Sequence, residues 1–170
     1  LVRWPVRRGM SPRDAARFFA MVHTTAADAI IAGFEAKYYY AAWRPRTAIP
    51  LAGTDGNPDT EPDAFWKPLL TVNHPEYPSG HGFWSAAVLE AVNAFFASNK
   101  VSWTMATSKT AVPQLVQTER TYEHLNAVMR EVTNARVWAG LLWRDSIPHG
   151  AQVARHVAAH VSRHFFRPVE

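Results

Sequence analysis

Cysteine is absent from the 170 residues, which excludes disulfides and thiolate-bound metals and leaves the compartment open. Long apolar runs are also missing. Polar residues interrupt every stretch well short of the roughly 20 residues a membrane-spanning helix needs, so no membrane segment is expected. There is no dense Lys/Arg tract: the formal charge of +4 comes from scattered cations. That pattern argues against a nucleic-acid module. It leaves either a solvated basic surface or cations that converge on a small anion. No basic, apolar and small-residue series of the leader type opens the chain, which starts at Leu1. A mature product, a fragment or one half of a cleaved protein all fit such a start. Repeats and low-complexity tracts are lacking as well.

What is present is the composition of a globular protein, 48% hydrophobic and 19% charged, with seven tryptophans available for packing. A chain of this length can bury one core, so a single domain over residues 1–170 is expected. Ser11-Pro12-Arg13-Asp14 reads as a capped helix start, with Ala15, Phe18, Val22, Ala26 and Ile30 following at helical spacing. This first helix is expected to end near Trp43, because Arg44 precedes Pro45. Residues 47–77, rich in Pro, Gly, Asp and Asn, predict a long ordered loop with one helical turn near residues 63–66. Further helices are predicted over residues 79–98, 122–140 and 146–165. Residues 101–115 are left as a short strand or an irregular excursion. The expected fold is an all-α helical bundle with a long ordered loop between its first and second core helices.

Three segments carry candidate chemistry. Lys37 and Arg44 are seven residues apart, so one helix face can present both as an anion clamp; ordinary surface charges have the same spacing. Pro78-Ser79-Gly80-His81 opens a helix whose free N–H groups and positive dipole end suit an oxyanion. Ser79 is there the N-cap and a hydroxyl donor, Gly80 permits close approach, and His81 is placed for proton transfer. Arg136 interrupts an apolar helical pattern, and an inward guanidinium needs a partner such as a bound oxyanion. His156, His160 and His164 form a stripe on the last helix without an accompanying carboxylate, which favours a polar solvent face over a metal site. Tyr38, Tyr39, Tyr40 and Trp43 fit a substrate entrance, but their spacing favours packing roles.

Taken in order, the three segments resemble the signature shared by vanadium-dependent haloperoxidases, type-2 phosphatidic acid phosphatases and bacterial acid phosphatases. That signature runs Lys, six residues, Arg-Pro; then Pro-Ser-Gly-His; then Arg, five residues and His. Trp43-Arg44-Pro45 and His74-Pro75-Glu76-Tyr77-Pro78-Ser79-Gly80-His81 look like bacterial vanadium-haloperoxidase homologues in particular. The resemblance implies that Lys37, Arg44 and Arg136 hold the oxygens of vanadate, or of phosphate as its analogue, with Ser79 and the Gly80 N–H completing the cradle. It implies peroxide-dependent halide oxidation, with Lys37 polarising the bound peroxide and His81 moving protons. Hydrogen peroxide and a halide or small organic molecule are the implied partners. His74 matches the place where bromoperoxidases carry a second histidine near the halide.

One departure is large. The family histidine six residues after the arginine, axial ligand in haloperoxidases and nucleophile in phosphatases, is Leu142 here, and the serine before the arginine is Ala135. Leucine neither ligates a metal nor attacks phosphorus. Three readings stay open: a cradle that holds vanadate with impaired peroxidase activity, a phosphate-binding or interaction domain without turnover, and a sequence change in an otherwise intact haloperoxidase. Phosphomonoester hydrolysis suffers most, since it needs the covalent nucleophile. The chain is shorter than the family's haloperoxidases, which fits either a segment of a longer protein or a homodimer that covers exposed apolar surface.

Overall fold

The computed structural model describes residues 8–100, 102–107 and 116–167. Helix α1 spans Pro12–Tyr40, and Ser11 caps it as the sequence predicts: the Asp14 N–H donates to Ser11 Oγ. A one-turn helix α2 (Pro45–Ala48) and a 3-10 turn (Ala52–Thr54) follow at the start of the long loop. Helix α3 spans Gly80–Phe96, α4 Leu125–Trp138 and α5 Ser146–His164. Between α3 and α4 lies an antiparallel hairpin of β1 (Trp103–Ala106) and β2 (Glu119–Tyr122), in which Trp103 pairs with Tyr122 and Ala106 with Glu119. β1 falls inside the stretch left open above; residues 101 and 108–115 of that stretch lie outside the described residues.

The expected helical bundle is therefore present, with one small sheet added. Helices α3 and α5 pack most extensively on each other, α1 covers both, and α4 leans on α3. The main apolar cluster joins Phe18, Met21 and Val22 of α1 to Leu89, Ala91 and Val92 of α3 and Leu125 and Val128 of α4. A second joins Ala29 to Phe83, Ala86, Ala87, Ala151 and Ala154. Small residues let helices approach closely there, and interiors tolerate little extra volume at such points. The closest approach of backbone to backbone at these glycines joins the first turns of α3 and α5. A Cβ on Gly150 would stand 2.5 Å from the Ser79 carbonyl oxygen, and one on Gly82 2.6 Å from that of Ile147. The Ser79 N–H donates to the Ser146 carbonyl at 2.9 Å across the same junction.

Two boundaries differ from the sequence reading. Helix α1 stops at Tyr40, three residues early, because Ala41 takes a left-handed conformation (φ 46°) and donates its N–H back to the Lys37 carbonyl. Neither Gly nor Asn marks that stop, so the pattern conceals it. Residue Tyr122, expected in the α4 helix, closes β2 instead. The predicted helical turn near residues 63–66 is a single turn, with the Trp66 N–H on the Asp63 carbonyl.

Candidate oxyanion site

The early end of α1 alters how the first two cations meet. Lys37 is in the last turn of α1, whereas Arg44 is the N-cap residue of α2, so they do not share one helix face. They converge all the same, on the backbone of the loop before α3. The fully buried Lys37 Nζ donates to the carbonyls of Pro75 and Glu76, both at 2.9 Å. Arg44 donates from Nε to the His74 carbonyl at 2.7 Å and from Nη2 to that of Pro75 at 3.2 Å. Its Nη1 reaches the Leu141 carbonyl at 2.8 Å. Burial, aided by the neighbouring Arg44 charge and opposed by Glu76, lowers the Lys37 pKa from 10.5 to about 8.

Ser79 is fully buried as the N-cap of α3, its Oγ accepting the Gly82 N–H at 3.0 Å. The hydroxyl hydrogen and the first N–H groups of the helix remain for a ligand. A Cβ on Gly80 would stand 3.7 Å from Lys37 Cε, so the α3 N-terminus and the Lys37 stem are direct neighbours. His81 is exposed and accepts at Nε2 from Arg136 Nη1 at 3.2 Å, which requires the neutral imidazole with its proton on Nδ1. Desolvation first, then the charges of Arg136, His74, Lys37 and Arg44, lowers the His81 pKa from the usual 6.5, which favours the neutral ring. His74 Nδ1 lies 3.1 Å from Arg44 Nη2 and its ring 5.3 Å from that of Phe34; burial lowers its pKa too. Arg136, near the end of α4, has its Nε buried with no hydrogen-bond partner.

Leu142 brings no polar atom to this chemistry. It is buried in an apolar cluster with Ala139, Leu141 and Ile147, flanked by Val72, Met129 and Val137. The turn that carries it depends on Gly140, whose φ of 69° is a left-handed conformation.

Sequence reasoning missed Glu76. This carboxylate is 1% exposed; Oε1 accepts the Trp143 N–H at 2.9 Å and Oε2 the Ser146 hydroxyl at 2.6 Å. The Glu76 N–H itself donates to the Ala42 carbonyl. No periodicity marks a loop glutamate as buried; its one signal is its place between prolines just ahead of the Ser-Gly-His turn. Tyr38, Tyr39, Tyr40 and Trp43 are exposed, contrary to the packing roles their spacing favours. His156, His160 and His164 lie on the exposed side of α5. A groove of about 590 Å³ between α3, α4 and α5, lined by Leu89, Met129, Arg130, Arg144 and Arg155 among others, shares no residue with the cradle.

A helical bundle of this form has known relatives. A family model described as the VCPO second helical-bundle domain matches residues 17–170. The chain belongs to that family of vanadium haloperoxidase bundles. The vanadium chloroperoxidase of Curvularia inaequalis is 32% identical over 101 residues, which are 53% of this chain and 16% of that protein. Among solved structures, a bacterial vanadium-dependent iodoperoxidase superposes with a TM-score of 0.75 at 22% identity, covering 94% of this chain and 36% of that one. The apo form of a bacterial vanadium-dependent chloroperoxidase gives 0.62 at 19% identity, covering 86% and 37%. This haloperoxidase bundle thus spans little more than a third of those structures. Among its described residues no helix is long and apolar enough to cross a membrane.

Proposed function

We propose that this chain is the oxyanion-holding core of a vanadium haloperoxidase-type protein. It would take up vanadate, or phosphate in its place, through Arg136, Lys37, Arg44, Ser79 and the Gly80 N–H. The observation that carries this reading is the buried, unpartnered Nε of Arg136 beside His81. A bound oxyanion supplies the acceptor that a buried guanidinium lacks. The fit is nevertheless divided. The cradle's donors suit a tetrahedral anion, whereas Leu142, packed in an apolar cluster, offers no lone pair to ligate a metal. These residues would hold the anion by charge and hydrogen bonds alone.

Vanadate in such a cradle supplies a Lewis acid that activates hydrogen peroxide toward a halide. The residues' own contributions are clear without it. Lys37 and Arg136 would place positive charge at the oxygens of a bound anion, and His81, whose lowered pKa favours the neutral ring, would accept or return a proton at Nε2. Phosphomonoester hydrolysis is the weaker reading, because no nucleophile stands at position 142. A non-catalytic anion-binding domain is favoured over it by the packing of Leu142.

The test is a vanadate titration of the purified chain, followed by a bromide-plus-peroxide assay, with Leu142→His alongside and thermal unfolding to check its fold. The expected result is that the parent binds vanadate with little bromination and the variant brominates at least tenfold faster. No anion binding by the parent overturns the reading. Equal bromination by both means that another residue ligates the metal.

A further inference from the structure

Glu76 stands out as the buried ionisable group that the proposed chemistry does not use. Its carboxylate is stationed on the third motif, accepting the Trp143 N–H one peptide bond beyond Leu142 and the Ser146 hydroxyl at the start of α5. Its backbone carbonyl accepts from Lys37, and its backbone N–H reaches Ala42 in the turn between α1 and α2. One residue thus ties together three segments around the cradle: the end of α1, the loop before α3, and the turn between α4 and α5. It places a fixed negative charge where the cations converge, and its field acts on both Lys37 and Arg44.

We infer that the Glu76 carboxylate is the cradle's resident anion and its charge filter, weakening doubly charged tetrahedral oxyanions more than singly charged ones. This rests on the cradle being an oxyanion site, as proposed above. The physical argument is short. Lys37, Arg44 and Arg136 bring three positive charges to the site, and His74 and His81 are neutral at neutral pH. Glu76 cancels one of the three. Its oxygens accept from the Trp143 N–H and the Ser146 hydroxyl, and burial hides the carboxylate from the water that would screen it. The repulsion between a fixed charge and a ligand grows in proportion to the ligand's charge. A dianion therefore loses about the square of the factor that a monoanion loses.

The experiment uses tungstate and perrhenate, two tetrahedral oxometalates that differ by one unit of charge, titrated calorimetrically at constant ionic strength and neutral pH. Glu76→Gln keeps an acceptor for the Trp143 N–H and presents its amide to the Ser146 hydroxyl, so it removes the charge and leaves the shape. The expected result is that perrhenate tightens roughly threefold and tungstate roughly tenfold. A second variant, Glu76→Asp, keeps the charge and shortens the tether. It retains the parent's preference between the two anions even where its melting temperature falls, and it decides the matter should the glutamine variant not fold. Equal shifts for both anions in Glu76→Gln, or a changed preference in Glu76→Asp, overturn the charge-filter role and leave the oxyanion reading standing. Failure of parent and variants to bind either anion overturns both.

Discussion

The cradle has two halves built on opposite principles. On one side Lys37 and Arg44 are buried and their donors are committed to the carbonyls of His74, Pro75, Glu76 and Leu141. On the other, Arg136 keeps a buried Nε without a partner and donates from Nη1 to an exposed histidine. The first half is a strap: its cations hold the loop before α3 in place whether or not a ligand is present. The second is a socket, because its hydrogen bonding is complete only with something bound. Identical residue types thus divide between architecture and recognition according to what saturates their donors.

Substitutions should separate the halves. Arg44→Ala is expected to cost the fold about 3–5 kcal/mol, since it strips several buried carbonyls of their partner; chemical denaturation reads it directly. Arg136→Gln is expected to leave the denaturation midpoint nearly unchanged and to weaken phosphate binding roughly 10–100-fold by calorimetry. If Arg136→Gln unfolds the protein, or Arg44→Ala spares the fold, the division between strap and socket is wrong.

A smaller effect tests Lys37, which sits on the boundary. Its folded pKa of about 8 lies below the unfolded value near 10.5. Between those values the unfolded chain holds the extra proton, so the ligand-free fold gains stability as pH rises through the window. Anion binding needs the charged form, so sulfate affinity is expected to fall by roughly tenfold from pH 7 to 9. Opposite slopes for stability and affinity, both flattened in Lys37→Met, are the outcome to look for. Smallest of all, Ala41→Gly relieves the left-handed alanine that ends α1 and should raise stability by about 1 kcal/mol, read as a shifted denaturation midpoint.

Much of this arrangement is legible in the sequence. The helices follow from apolar spacing, the α1 start from its capping serine, and the α3 start from Ser79 at the head of an apolar pattern. The candidate cations are legible as spaced motifs. Their geometry is not: a helix that continued to Trp43 would align Lys37 with Arg44 on one face, and only the backbone of Ala41 breaks it. Glu76 is illegible for a different reason. Its burial depends on Trp143 and Ser146, which lie 67 and 70 residues away, and local pattern carries no information at that separation. The hairpin was half visible, because β2 has an exposed, polar face that reads as loop.

The junction at Gly82 and Gly150 has a consequence for time as well as for shape. Ser79 meets Ser146, and Arg44 meets Leu141, only after chain segments far apart in sequence have been brought together. Such long closures are entropically costly and tend to complete late in folding. A ligand seated on the finished cradle therefore acts on the native state more than on the path toward it. It prolongs the life of the folded protein by slowing its unfolding, while the rate at which new chains fold stays almost the same.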